Sequence, residues 1–190
     1  MGDFEAAIER VIAGLEKKNK LINEKERKIV AYHESGHAIV GYFTPGADEV
    51  QKVSIVPRGI GALGYTMQMP LEDRYLMTES ELRGKIKGLL GGRVSEEITF
   101  GEISTGASND LERATQLARN MIVVYGMSKK LPNISLVSKS ESGFLGHAPG
   151  IERRSEYVEK IIDEETTELI NSCYEEAKEL LNEKKLLLEK

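Results

Sequence analysis

Residues 31–40 read Ala31-Tyr32-His33-Glu34-Ser35-Gly36-His37-Ala38-Ile39-Val40. They lie inside a longer run, 24–43, whose first turns are charged. From Ile29 to Phe43 that run is apolar almost all round, the pattern of a buried helix. Helical residues four apart share a face, so His33 and His37 can aim imidazole nitrogens at one metal ion. Glu34 is rotated about 100° from His33 and cannot easily be a ligand on the same face. It is instead placed to take a proton from a water, the division of labour that metal-assisted amide hydrolysis needs. Zinc is the expected ion, although the donor types alone admit other divalent metals. Five-residue matches do arise by chance, and two histidines can simply be surface residues. Against chance, charged groups in a buried helix need a reason. The chain also has three histidines in all, two of them in this pattern.

A catalytic zinc wants a third protein ligand. No histidine follows at short spacing, because residues 40 and 43 are Val40 and Phe43. His147 lies in a Gly/Pro-rich stretch and is a weak candidate. Helical spacing offers two carboxylates. Asp110 shares a face with Ala114, Leu117, Met121 and Val124. Glu97 falls on the apolar face that carries Ile86 and Leu90. Each has an ordinary alternative: a capping or first-turn charge for Asp110, and a pair with Arg93 for Glu97. Periodicity leaves both open.

Outward from this helix, Thr44-Pro45-Gly46 is a stop. Residues 51–56 and 62–67 read as strands around a Gly-rich loop, a hairpin whose register is not legible. Those glycines also suit close approach of another backbone, such as a bound peptide. Thr78 and Glu81 form a capping box for a helix reaching about residue 98. That helix crosses Gly91-Gly92 at a cost of roughly 1 kcal/mol per glycine, which close packing against a neighbour would explain. A further helix is expected over 108–125, with Gly126 as its stop. Residues 127–150 read as irregular, with a short strand at 134–137. Residues 151–185 read as one bent helix or two, with Cys173 packed on the apolar stripe. A first helix is expected over 3–18. The sum is a mainly α-helical domain with a small β-sheet or hairpin and the His-Glu-x-x-His helix in its core.

Composition narrows the class. The 190 residues carry a net charge of −5 and one cysteine. No apolar run approaches the roughly 20 residues that cross a bilayer. The first residues lack the basic-then-apolar order of a secretory leader. A lone cysteine forms no internal disulfide. No basic stripe interleaved with aromatics suggests a nucleic-acid partner.

The segment AYHESGHAIV resembles the zinc motif of the FtsH family, the membrane-anchored ATP-dependent metalloproteases. The likeness continues through KVSIVPRG (52–59), ALGYT (62–66), GGR (91–93) with Glu96-Glu97, STGASND (104–110) and LARNM (117–121). The resemblance implies one zinc held by His33, His37 and Asp110, with Glu34 as general base. It gives Glu96 and Glu97 a structural role. It implies a strand beside the cleft over 62–67, along which an unfolded substrate could pair. It also makes residues 1–22 the end of an ATPase helical subdomain and 23–190 the peptidase domain. In the family an ATPase, using ATP and Mg2+, threads substrates, and the proteases form a homo-hexamer anchored by membrane segments, on the cytoplasmic side in bacteria. This chain has no phosphate-loop motif, so the expectation is an excised, soluble protease domain.

Two other functions stay in view. A small-peptide zinc hydrolase would act on short peptides and not on unfolded protein. A non-catalytic metal-binding oligomerisation module would bind metal tightly and cleave nothing.

Overall fold

The computed structural model describes residues 10–11, 23–47, 49–56, 64–69, 76–134, 136 and 155–189. Helix α1 spans Glu24–Phe43, and strands β1 (Glu49–Ser54) and β2 (Tyr65–Met69) follow. Then come α2 (Glu79–Phe100), a 3-10 turn (Thr105–Ala107), α3 (Ser108–Val123), α4 (Glu156–Glu183) and the short α5 (Lys185–Leu188).

The helix ends follow local chemistry. The Asn23 side chain accepts from the Lys25 amide at 2.9 Å and caps α1. Glu24 and Glu26 then occupy the first turn, where the helix dipole favours them. At α2 both halves of the capping box form: Thr78 N donates to Glu81 Oε2 at 2.7 Å, and Glu81 N donates to Thr78 Oγ1 at 3.4 Å. The helix stops at Gly101, whose φ of 68° is a conformation glycine adopts without strain.

Helix α2 is the centre of the packing. Its Leu82, Ile86 and Leu90 are buried against Ala114, Ala118 and Met121 of α3 and Cys173 of α4. Val94 joins Ile39 and Val40 of α1 with Ala177, Leu181 and Leu188. Cys173 is the packed core cysteine that the stripe predicts, and burial pushes its thiol up to about 11. Where α1 meets α2 the two backbones touch. A Cβ on Gly36 would overlap the Gly91 carbonyl and lie 2.5 Å from Ser95 Cβ. A Cβ on Gly91 would lie 2.7 Å from Gly36 O. Ser95 Oγ donates to the Tyr32 carbonyl at 2.6 Å across the same crossing. This is the close packing that the double glycine predicts.

The strands pair as an antiparallel hairpin, with Ser54 opposite Tyr65, Val53 opposite Thr66 and Lys52 opposite Met67. An irregularity follows between Val50 and Lys52. Both strands are displaced two or three residues from their expected starts, because cross-strand pairing rather than the apolar run sets their limits. Helix α1 is buried in its middle but not all round: Tyr42 is 75% exposed. Its ring packs edge-on against Phe43, whose face carries the Lys184 ammonium at 4.9 Å. Helix α3 ends at Val123, two residues early. The C-terminal stretch is one long helix with a break at Lys184. Ile134 and Leu136 form no strand, and Leu136 N donates to the Val123 carbonyl instead. The helix over 3–18, save Arg10 and Val11, the hairpin loop and His147 lie outside the described residues.

Candidate metal centre

Helix α1 delivers both histidines to one point. Their Nε2 atoms are 3.0 Å apart, and Asp110 Oδ2 lies 3.4 Å from each. The three donors converge within 4.8 Å of one another. The far side of each ring is tied down. His37 Nδ1 donates to the Gly88 carbonyl at 2.8 Å, and His33 Nδ1 meets Glu96 Oε1 at 2.7 Å. A carbonyl oxygen only accepts, so His37 Nδ1 carries the hydrogen and a neutral ring leaves Nε2 bare for a metal. Glycine at 92 makes room for this. A Cβ there would lie 2.6 Å from His33 Nε2 and from His37 Nε2. Two imidazole nitrogens and one carboxylate oxygen are a donor set that fits zinc.

Asp110 arrives in the first turn of α3, where Ala107 holds the cap position and makes no side-chain bond. The turn before it is anchored to α2. Ser104 N donates to Glu96 Oε2 at 2.6 Å, Ser104 Oγ donates to Glu96 Oε1 at 3.0 Å, and Gly106 N donates to Ser104 Oγ at 3.1 Å. Glu96 thus joins the back of one donor ring to the segment that carries the third donor. Burial works against its negative charge, but the bonds from His33 and Ser104 outweigh it and hold the carboxyl below its usual range. Asp110 shows the same contest: burial opposes its charge, and the two histidines hold it well below the carboxylate range.

Glu34 stands beside these donors and is not one of them. It is buried, and Thr66 Oγ1 of β2 donates to its Oε2 at 2.7 Å. Burial raises its pKa, and the Thr66 bond opposes the rise. The two carboxylates that spacing leaves open stand in different places: Asp110 is among the converging donors and Glu97 is not. Glu97 does not face inward: its carboxylate accepts from Lys178 Nζ at 2.8 Å and from Tyr174 Oη, on the surface facing α4. The inward glutamate is its neighbour Glu96, 1% exposed. Sequence reasoning missed Ser104, Thr66, the Gly88 carbonyl and the place of Gly92. One signal was available: Gly88, Gly92 and Glu96 stand four apart, a single row on α2 beneath the imidazoles.

The metal-free site makes a measurable claim about protons. Burial disfavours a charged His33, but Asp110 and Glu96 outweigh it and lift its pKa to about 9. Its proton therefore stabilises the metal-free fold fully below about pH 6.5 and is lost as pH rises through about 9. A divalent ion needs the bare ring. Zinc binding at pH 7 is expected to release about one proton, and affinity to climb roughly tenfold per pH unit up to about 9. Calorimetry in buffers of different ionisation enthalpy counts that proton.

A helix presenting two imidazoles four residues apart, a glutamate between them and a carboxylate donor from another helix is the arrangement of the His-Glu-x-x-His metallopeptidases. The sequence profile of peptidase family M41 matches residues 20–190. The chain belongs to that family. It is 57% identical over 190 residues to the ATP-dependent zinc metalloprotease FtsH of Chlorobium luteolum, covering 100% of this chain and 27% of that protein. It is 51% identical over 192 residues to that of Syntrophobacter fumaroxidans, covering 100% and 30%. It is 48% identical over 182 residues to that of Thermotoga maritima, covering 95% and 30%. The chain therefore spans under a third of the length of these relatives.

Proposed function

We propose that this chain is a zinc-dependent endopeptidase domain that cuts unfolded protein or peptide segments. The observation that carries the reading is the convergence of His33 Nε2, His37 Nε2 and Asp110 Oδ2 with the Glu34 carboxylate alongside. Bound by those three residues, zinc would supply a Lewis acid for the peptide carbonyl and lower the pKa of water. Glu34 takes the proton of the attacking water on its carboxylate, which the Thr66 hydroxyl steadies at Oε2. It returns that proton to the leaving amide nitrogen. No covalent acyl-enzyme forms, and Cys173, enclosed in the core, takes no part. Strand β2 carries Thr66 next to Glu34, so an extended substrate pairing along β2 would cross the site with little demand on its side chains. In the longer protein, the same reading couples cleavage to an ATPase that unfolds substrates. It also places six protease domains in a ring, anchored by membrane segments and facing the cytoplasm. Among the described residues no helix is long and apolar enough to cross a membrane.

The test is direct. The zinc-loaded chain is expected to cleave unfolded casein, a chelator to stop it, and added zinc to restore it. Cleavage confined to short peptides would favour the small-peptide hydrolase. Tight zinc binding without cleavage in any assembly state would favour the metal-binding module.

A further inference from the structure

We propose that Thr66 is a positioning residue for Glu34, acting with Gly64 as a two-point clamp delivered by β2 and the residue just before it. The inference rests on the peptidase reading for its catalytic consequence but on geometry for the clamp. A glutamate side chain has three rotatable bonds, and a base serves only from the right place. Glu34 is held twice. Its Cγ lies against the backbone at Gly64, where an added Cβ would stand 2.9 Å from it. Its Oε2 accepts the Thr66 hydroxyl at 2.7 Å. That hydroxyl also lies 3.2 Å from the Glu34 carbonyl, but it has one hydrogen, and the shorter contact takes it. The bond takes one lone pair of Oε2 and leaves the carboxylate able to accept a proton. The backbone that carries the hydroxyl is fixed, because Thr66 pairs with Val53 and Tyr65 with Ser54 in the hairpin. No donor residue contributes to the clamp, so it should act on turnover and not on metal binding.

The test compares Thr66→Val, which keeps shape and loses the hydroxyl, with Thr66→Ser, which keeps the hydroxyl. In the zinc-loaded chain, T66V is expected to lower kcat for casein-derived peptides roughly 10- to 100-fold with KM within about twofold. T66S is expected to recover most of that loss. Zinc affinity, measured by competition with a chelating dye, is expected to stay within about threefold in both. The second readout needs no activity. In the metal-free chain carrying carbon-13 glutamate, the Glu34 carboxyl resonance is expected to move in T66V and return in T66S. Wild-type kcat together with an unmoved resonance in T66V would overturn the clamp. So would equal loss of kcat in both variants with the resonance unmoved, since that pattern belongs to strand packing. If the zinc-loaded chain cuts nothing in any assembly state, the peptidase reading fails alone, and the carboxyl resonance still decides the clamp.

Discussion

Glu34→Gln is expected to keep zinc at one ion per chain and to remove peptide cleavage. The substitution preserves volume, and Thr66 can still donate to the amide oxygen, so the local fold has no reason to change. Glu34 is outside the converging donor set, so metal affinity should move little. What disappears is the group that takes the proton from water and returns it. General base catalysis of this kind is worth roughly 10²- to 10⁴-fold, and kcat should fall by that factor with KM nearly constant. Zinc content by elemental analysis and casein cleavage, measured on the same preparation, check both halves. Cleavage at the normal rate would remove Glu34 from the mechanism. Loss of zinc along with activity would instead mean that Glu34 helps hold the ion.

The second large effect is expected from Gly92→Ala, a change that a helix alone would welcome. In a free helix, alanine is favoured over glycine by roughly 1 kcal/mol. Here the new methyl would stand 2.6 Å from the Nε2 atoms of both histidines, inside contact distance of the two metal-facing nitrogens. The rings have little room to retreat, since His37 is tied to the Gly88 carbonyl and His33 to Glu96. Either the rings rotate off their partners or α1 lifts from α2. Both outcomes separate the donors, and zinc affinity should fall about 100-fold, the upper end of the range for disturbing a ligand's support. Competition with a chelating dye reads this directly. Unchanged affinity would show that the rings are not held against α2 as described.

Much of this centre was legible beforehand. The bounds of α1 follow from a polar cap, a charged first turn and a Thr-Pro-Gly stop, all local signals. The motif histidines needed only helical spacing. The expectation that Asp110 joins them rested on the family resemblance, because spacing leaves Glu97 equal to it. The reason is physical. Periodicity counts apolar residues, and the face of α2 that meets the histidines carries glycine at 88 and 92. Glycine adds nothing to an apolar stripe, so the visible stripe through Leu82, Ile86 and Leu90 pointed to Glu97 rather than Glu96. The Thr66 and Ser104 contacts were not legible for a different reason. They join residues from separate elements, and only the assembled hairpin and turn bring them together.

The buried glutamate on α2 has one more implication. Its carboxylate fastens a ring on α1 and the amide of Ser104 at the same time, through three hydrogen bonds. The apolar clusters that join the helices meanwhile contain none of the three donors. The helices are thus joined by contacts that do not run through the three converging side chains. A chelator is therefore expected to leave the helical circular-dichroism signal of the chain in place, and loss of that signal would show that the fold leans on the ion. A zinc finger, by contrast, loses its fold with its metal.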